Sequence, residues 1–240
     1  MTRHGRKFQK LDINLFYPVT LPGVSYVLGF AATDGCVHDR KDVKKGSCLK
    51  FGIQERDVEL LESIKHVLGI NNNIRYYHKT KCAMLEIYHP EIVTFLKKYN
   101  ITSKKSLTLE FPTKLDKKLY SHFMRGVWDG DGSVSTSDDK GYLHQDVELV
   151  SASSMFLMRC ANVLMDNNIG YSFSYDNKRS QNILYRMRIR RGSFQSFYDY
   201  LYKDANIYLP RKKEKFEEIL KYRDKSFEIS SPKTVDALFN

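Results

Sequence analysis

The chain has 240 residues, one to two domains at ~150 residues each, and carries 39 Lys plus Arg against 28 Asp plus Glu, a net charge of +11. Hydrophobic residues make up 42%, enough for a core and too many for a disordered chain. The longest apolar run, Tyr26 to Ala32, is far short of the ~20 residues that cross a bilayer, and no apolar segment follows Arg3, Arg6, Lys7 and Lys10 to make a secretory signal. The expectation is a basic protein with no membrane, working in an intracellular compartment: cytoplasm, nucleoid or organelle matrix.

Taken in order, residues 1–20 read as a basic N-terminal arm. A first helix begins near Pro22-Gly23-Val24 and ends at Gly35, read as a C′ glycine. Leu49, Phe51 and Ile53 alternate with Lys50, Gly52 and Gln54, the period of a strand with one apolar face. Asp57 then caps a helix carrying Val58, Leu61, Ile64 and Leu68. Strands near 74–79 and 83–88 follow, and Pro90 suits the first turn of another helix. Residues 21–109 make one lobe, and 110–118, with Pro112, a linker. The second lobe, 119–223, repeats the plan, with strands near 133–137 and 145–150 and a helix over 154–167. There Tyr171, Phe173 and Tyr175 alternate with polar residues, and Tyr185, Met187 and Ile189 with Arg186, Arg188 and Arg190. Tyr171, Phe173, Phe194 and Phe197 fall at core spacing. The tail, 224–240, cannot be placed.

The lobes are a duplication. Gly29 is followed after four residues by Asp34-Gly35, and Gly126 by Asp131-Gly132, an offset of 131 − 34 = 97. The run Ile70 to Ile74 has its echo in Asp166 to Ile169, and Ser103-Lys104-Lys105 in Pro210-Arg211-Lys212. A mid-helix glycine costs ~1 kcal/mol relative to alanine, so Gly29 and Gly126 need a reason. With Thr33 and Gly130 one turn on, each places two small residues on one helix face, where two backbones can meet. The two first helices are therefore expected to pack together at the lobe interface. Trp128 reads as part of that packing.

Asp34 and Asp131 each close a helix, where the macrodipole disfavours an anion by ~0.3–1 kcal/mol. Pairing the helices brings the two carboxylates together and raises that cost. A divalent cation reverses both effects. Hard oxygen ligands suit Mg²⁺, which completes its shell with water and phosphate oxygens. Two such ions can clamp the attacking and leaving oxygens of a phosphodiester. Metal ligation by Cys36, Cys48, Cys82 and Cys160 is not expected, since no CxxC pair occurs among them, and they read as small buried hydrophobes.

Val27 to Gly35 and Met124 to Gly132, with the repeated plan around them, resemble the LAGLIDADG homing endonucleases in their single-chain, two-motif form. The resemblance spans roughly residues 22 to 222. It implies an α+β fold of two pseudo-symmetric αββαββα lobes packed through their motif helices, with antiparallel sheets forming a DNA-binding saddle. It implies hydrolysis of both strands of double-stranded DNA, leaving 3′ overhangs; the duplicated lobes supply both half-sites, so a monomer is expected, and their different charge patterns call for a long, asymmetric target. By the same resemblance Asp34 and Asp131 are catalytic and bind Mg²⁺, with Ca²⁺ as a non-cleaving substitute. Gly35 and Gly132, or the carbonyls preceding them, are further candidate metal ligands. The sixth motif position differs, Ala32 in one lobe and Asp129 in the other.

Gln54 takes a water- or phosphate-positioning role by the same resemblance, and its counterpart falls at Val150 or Ser151, so the two strands are expected to be cut at unequal rates. Lys105 and Lys212, in loops entering the last helix of each lobe, are by the same resemblance expected to polarise the attacked phosphate or the water, the alternative being plain contact with the DNA backbone. Arg186, Arg188 and Arg190 share one strand face, from which arginine reads guanine or positions phosphates. Lys50 and Arg75 are weaker candidates in lobe one, and Lys44, Lys45, Lys178 and Arg179 read as loop contacts to backbone. The alternatives are an intron maturase, with host intron RNA as partner, and a non-cleaving DNA-binding protein on the same scaffold.

Overall fold

The computed structural model describes residues 11–39, 46–139, 142–176 and 183–230. The first lobe runs α1 (Pro22–Thr33), β1 (Gly35–His38), β2 (Cys48–Gln54), α2 (Val58–Leu68), β3 (Arg75–Tyr77), β4 (Cys82–Tyr88) and α3 (Ile92–Lys97). The second runs α4 (Tyr120–Asp131), β5 (Gly132–Asp139), β6 (Tyr142–Ser151), α5 (Ser154–Met165), β7 (Tyr171–Asp176), β8 (Leu184–Ile189) and α6 (Phe194–Tyr202). A long helix, α7 (Pro210–Ser230), follows; among the described residues of the first lobe only a 3₁₀ turn, Lys105–Leu107, stands at the corresponding place. Each lobe holds a four-stranded antiparallel sheet, ordered β1-β2-β4-β3 and β5-β6-β8-β7. No helix among the described residues is long and apolar enough to cross a membrane.

Strand alternation sorts each sheet into an inner and an outer face. Leu49 and Phe51 of β2 and Ala83, Leu85 and Ile87 of β4 are buried under the helices, as are Val147 and Leu149 of β6 and Met187 and Ile189 of β8. Lys50, Glu86, Glu148, Arg186 and Arg188 lie on the opposite face. One side of each sheet is thus core, and the other displays charge. Burial of apolar area at roughly 25 cal/mol per Å² supplies the driving force.

The two lobes meet where α1 lies against α4. A Cβ on Gly29 would stand 2.0 Å from the carbonyl oxygen of Phe123, and one on Gly126 2.1 Å from that of Tyr26. Gly130 abuts the Thr33 hydroxyl in the same way, where a Cβ would be 1.9 Å from Oγ1. The small residues are therefore there because the backbones touch.

Several local expectations are corrected. Gly35 does not adopt the left-handed conformation of a C′ residue; it opens β1, and glycine is needed because a Cβ would stand 2.5 Å from the Ala31 carbonyl oxygen. Asp57 stands before α2 but makes no capping hydrogen bond, its carboxylate being taken by Arg211. Residues 11–20 are no arm: Leu11, Phe16 and Val19 are buried, and the Val19 amide donates to the Tyr99 hydroxyl at 3.0 Å. The 110–118 connection is packed, with Phe111 against Tyr120, Phe123 and Phe156 and with Leu115 buried. Trp128 belongs to the core of its own lobe, edge-on to Phe197 at 5.2 Å, and not to the interface. Phe173 is 47% exposed despite its spacing, because β7 is an edge strand beyond the cover of α5. Cys36 is exposed and Cys82 partly so, while Cys48 and Cys160 are buried as expected. The tail's first residues, 224–230, continue α7; the rest of the tail, 231–240, lies outside the described residues, as do Arg3, Arg6, Lys7 and Lys10.

Candidate active site and nucleic-acid interface

Two clefts flank the seam of α1 and α4. Asp34, Gln54, Cys82, Asp129, Gly130 and Arg211 line one, of ≈ 250 Å³, among other residues. Asp131, Ala152, Leu184, Thr33, Lys105 and Ser106 line the other, of ≈ 280 Å³. Each cleft holds the last aspartate of one motif, the ends of two strands of that aspartate's sheet, and the end of the opposite motif helix. The local folding explains the placement: α1 and α4 stop where Gly35 and Gly132 turn the chain into β1 and β5, so each carboxylate is left at the mouth of the seam.

Both aspartates reach solvent, yet each is ringed by enough protein to perturb it. Burial pushes Asp131 up to about 6, with the charge of Asp34 adding to the rise and Lys212 and Lys105 opposing it. Burial also raises Asp34, against Lys212, Lys105 and Arg211. Both carboxylates are partly desolvated, and the charge of Asp34 acts on Asp131. A divalent cation would favour the charged form of each. Among the described residues no group of three or more His, Cys, Asp or Glu is placed to enclose a metal. The donors thus fit a hard cation that keeps water and takes phosphate oxygens, as Mg²⁺ does, and do not fit an all-protein cage.

Lys105 and Lys212 are both buried and both end on backbone carbonyls beside the acids. The Lys212 ammonium donates to the carbonyls of Trp128 at 3.0 Å, Asp129 at 2.6 Å and Gly130 at 3.0 Å, satisfying the end of α4. Lys105 donates to the Gly35 carbonyl, which occupies one of the candidate metal-ligating carbonyls. Burial lowers Lys212 to about 8 and lowers Lys105 as well. Neither lysine enters a final helix from a loop: Lys105 starts a single 3₁₀ turn after α3, and Lys212 lies within the first turn of α7.

The strand registers give a firm equivalence between lobes. Gly35 faces Phe51 as Gly132 faces Leu149, so Gln54, three residues past Phe51, corresponds to Ala152 and not to Val150 or Ser151. Both Gln54 and Ala152 line their respective clefts. The Asp34 cleft therefore holds an amide that the Asp131 cleft lacks.

Three functional candidates lie outside what the motifs signal. Arg211 meets Asp57 through Nε at 2.9 and 3.0 Å, tying the start of α7 to the first lobe across the Asp34 cleft. Asp129, at the variable sixth motif position, is buried and accepts from the Tyr26 hydroxyl at 2.8 Å and the Leu209 amide at 2.7 Å. Burial pushes its carboxyl up to about 6, against those hydrogen bonds. The third candidate is the carboxylate on each outer sheet face, Glu86 and Glu148. A distant ion-pair partner leaves no trace in local spacing, which is why these residues escape a sequence reading.

On that outer face Lys50 and Arg75 pair with Glu86, and Arg186 and Arg188 with Glu148. Arg190 lies just past β8, exposed, its amide bonded to the Gly170 carbonyl at 2.8 Å. The face of β7 and β5 beside the arginines carries Ser172, Ser174, Ser133 and Ser135, short hydroxyls that adapt to either base or phosphate. Lys44, Lys45, Lys178 and Arg179 lie outside the described residues.

Two pseudo-equivalent αββαββα lobes, joined through glycine-faced helices that each deliver one acid to a cleft, define a two-lobed, two-site class of protein. The first lobe matches the family model for LAGLIDADG endonucleases over residues 27–113, and the second the model for LAGLIDADG-like domains over residues 118–202. The chain belongs to the LAGLIDADG homing endonuclease family, in its single-chain, two-motif form. Among curated proteins none matches the sequence. Solved structures that are similar include the I-LtrWI LAGLIDADG homing endonuclease bound to target DNA, with a TM-score of 0.60 at 12% identity over 86% of this chain and 91% of that one. The meganuclease I-AabMI, bound to uncleaved DNA, gives 0.60 at 15% identity, covering 88% and 93%. I-DmoI, in complex with DNA and Ca, gives 0.57 at 14% identity, covering 82% and 98%. Likeness at such identity establishes the shared fold.

Proposed function

We propose that the chain is a site-specific double-strand DNA endonuclease that hydrolyses phosphodiester bonds with Mg²⁺ and leaves 3′ overhangs. The observation that carries this reading is the pair of clefts, each with its own aspartate, set at the seam between two sheets whose outer faces carry Lys and Arg held by carboxylates. Cutting two strands needs two sites, and the duplication supplies them within one chain.

Asp34 and Asp131 would hold the cation, which when bound activates water and neutralises charge on the leaving oxygen. Gln54 lies at the rim of the Asp34 cleft, where its amide can orient a water or a phosphate oxygen. Lys212 fixes the end of α4 and Lys105 the first residue of β1, and both place positive charge beside the acids, where negative charge develops in the transition state. The second cleft has Ala152 in place of Gln54, so the strand served by Asp131 is cut more slowly. The cation-lined sheets bind phosphates and bases of a long, asymmetric duplex. The setting is an intracellular compartment that contains DNA.

Incubating the protein with a randomised duplex library and Mg²⁺, then sequencing the ends, tests the reading. A single recurrent site with 3′ overhangs is expected, with Ca²⁺ supporting binding but not cutting. Binding without cleavage would leave a DNA-binding protein on this scaffold.

Because both half-sites are met by one chain, sedimentation of the complex should give one protein per duplex. Two proteins per duplex would overturn the one-chain architecture. Single replacement of Arg186, Arg188 and Arg190 by Ala should relax base preference in one half-site for at least one of the three, at ~1–3 kcal/mol. Equal weakening on every sequence, measured by competition binding, would make all three phosphate contacts.

A further inference from the structure

On the outer face of each sheet one carboxylate is gripped by two cations, with Asp146 as a second, longer partner of Arg188 at 3.7 Å in the second lobe, and the polarity of the cross-strand pair is inverted between lobes. In the first lobe Glu86 of β4 takes Lys50 at 2.6 Å and Arg75 at 3.1 Å, and the Tyr88 hydroxyl donates to it at 2.9 Å. In the second, Glu148 of β6 takes Arg186 and, at 3.2 Å, the Nε of Arg188. Lys50 stands directly across from Glu86, and Glu148 directly across from Arg188. Their neighbours Phe51–Leu85 and Leu149–Met187 fix these as the same pair of positions. What is cation on β2 is anion on β6, and what is anion on β4 is cation on β8.

An exposed ion pair contributes little to stability, with a median of ~0–1 kcal/mol. These carboxylates are not exposed, however: the side chains of Glu86 and Glu148 are only 9% and 13% accessible, while Arg75 and Arg188 remain 51% and 47% accessible. A buried anion on a surface that meets a polyanion opposes binding, so net charge does not explain its presence on both sheets. Orientation does. A guanidinium held at one edge keeps donors on the other, in a fixed plane that suits bidentate hydrogen bonding.

We propose that Glu86 and Glu148 are specificity-determining residues, each holding its two cations in one orientation toward the bases, so that the inverted polarity makes the two lobes read different bases at equivalent half-site positions. This rests on the reading of the outer faces as the duplex-binding surface. The carboxylates are positioning residues and act through Lys50, Arg75, Arg186 and Arg188.

The test is a position-by-position binding selection on duplex libraries with Glu86→Gln, Glu148→Gln and the double exchange Lys50→Glu with Glu86→Arg, alongside thermal melts. Each glutamine variant should lose ~10-fold of preference at one or two neighbouring base pairs of its own half-site. The other half-site should be unchanged, and affinity for unrelated duplex equal or higher. The double exchange keeps an ion pair the fold already accommodates in the second lobe, so it should melt as the unsubstituted protein does while its base preference moves. Preference that survives all three variants, or is lost equally in both half-sites, would overturn the proposal and leave the pairs structural. Absence of any sequence preference in the unsubstituted protein would overturn the duplex reading itself, and this proposal with it.

Discussion

Asp34→Asn and Asp131→Asn should each abolish double-strand cleavage while leaving specific duplex binding intact. Asparagine keeps the shape of the side chain and loses the charge that would hold a divalent cation in its cleft. The expected fall is ~10³-fold or more in rate, the equivalent of ~4 kcal/mol of transition-state stabilisation. Binding depends on other groups. The outer-face cations are on strands, whereas the aspartates sit at the seam, so neither substitution touches Lys50, Arg75, Arg186 or Arg188. Removing an anion beside phosphate can tighten binding slightly. The two variants also differ in what survives. If each cleft serves one strand, Asp34→Asn leaves nicking by the Asp131 cleft, and Asp131→Asn leaves nicking by the cleft that also contains Gln54. A gel shift and a strand-labelled cleavage assay on one duplex, with Mg²⁺ and with Ca²⁺, separate these results. Full cutting of both strands by both variants would reduce the motifs to helix-packing devices.

Much of this arrangement was legible because it is local or repeated. The alternation of Leu49, Phe51 and Ile53 marks a strand wherever the chain goes. The matching Gly-to-Asp spacing at Gly29 and Gly126 marks a duplicated helix whose faces must meet. The parts that were not legible depend on partners far along the chain. Asp57 looks like a helix cap until Arg211, 154 residues later, takes its carboxylate. Lys50 and Arg186 look like exposed cations until Glu86 and Glu148 close on them. Phe173 has core periodicity, but periodicity names a face and not what covers it. Trp128 follows the same rule. It lies on the motif helix, and only the packing of α6 and α7 shows that it turns inward to Phe197 and Phe216 and away from the seam. The counterpart of Gln54 was misplaced because the β5–β6 connection is not the same length as that between β1 and β2, so a constant offset drifts.

The largest effect on the fold itself should come from the smallest substitutions. By helix propensity, Gly29→Ala and Gly126→Ala each gain ~1 kcal/mol. The contact argument has the opposite sign and wins. The new methyl would stand 2.0 Å from the Phe123 carbonyl oxygen in the first case and 2.1 Å from that of Tyr26 in the second. Both obstacles are backbone, so no side chain can rotate aside, and α1 and α4 must separate along the seam that holds the lobes together. Overpacking a core typically costs ~1–3 kcal/mol, and a backbone clash belongs at or above the top of that range. At ~2–4 °C per kcal/mol for a chain of this size, a loss of ~3 kcal/mol lowers the Tm by roughly 6–12 °C. Gly192→Ala is the control: a Cβ there meets nothing within 4 Å and its φ is not positive, so its melt should stay level or rise slightly. Cleavage should fall further than stability alone accounts for, because the seam that α1 and α4 share sets the spacing of Asp34 and Asp131. If Gly29→Ala and Gly126→Ala melt no lower than Gly192→Ala, the two helices do not pack backbone to backbone and the seam is not what places the acids.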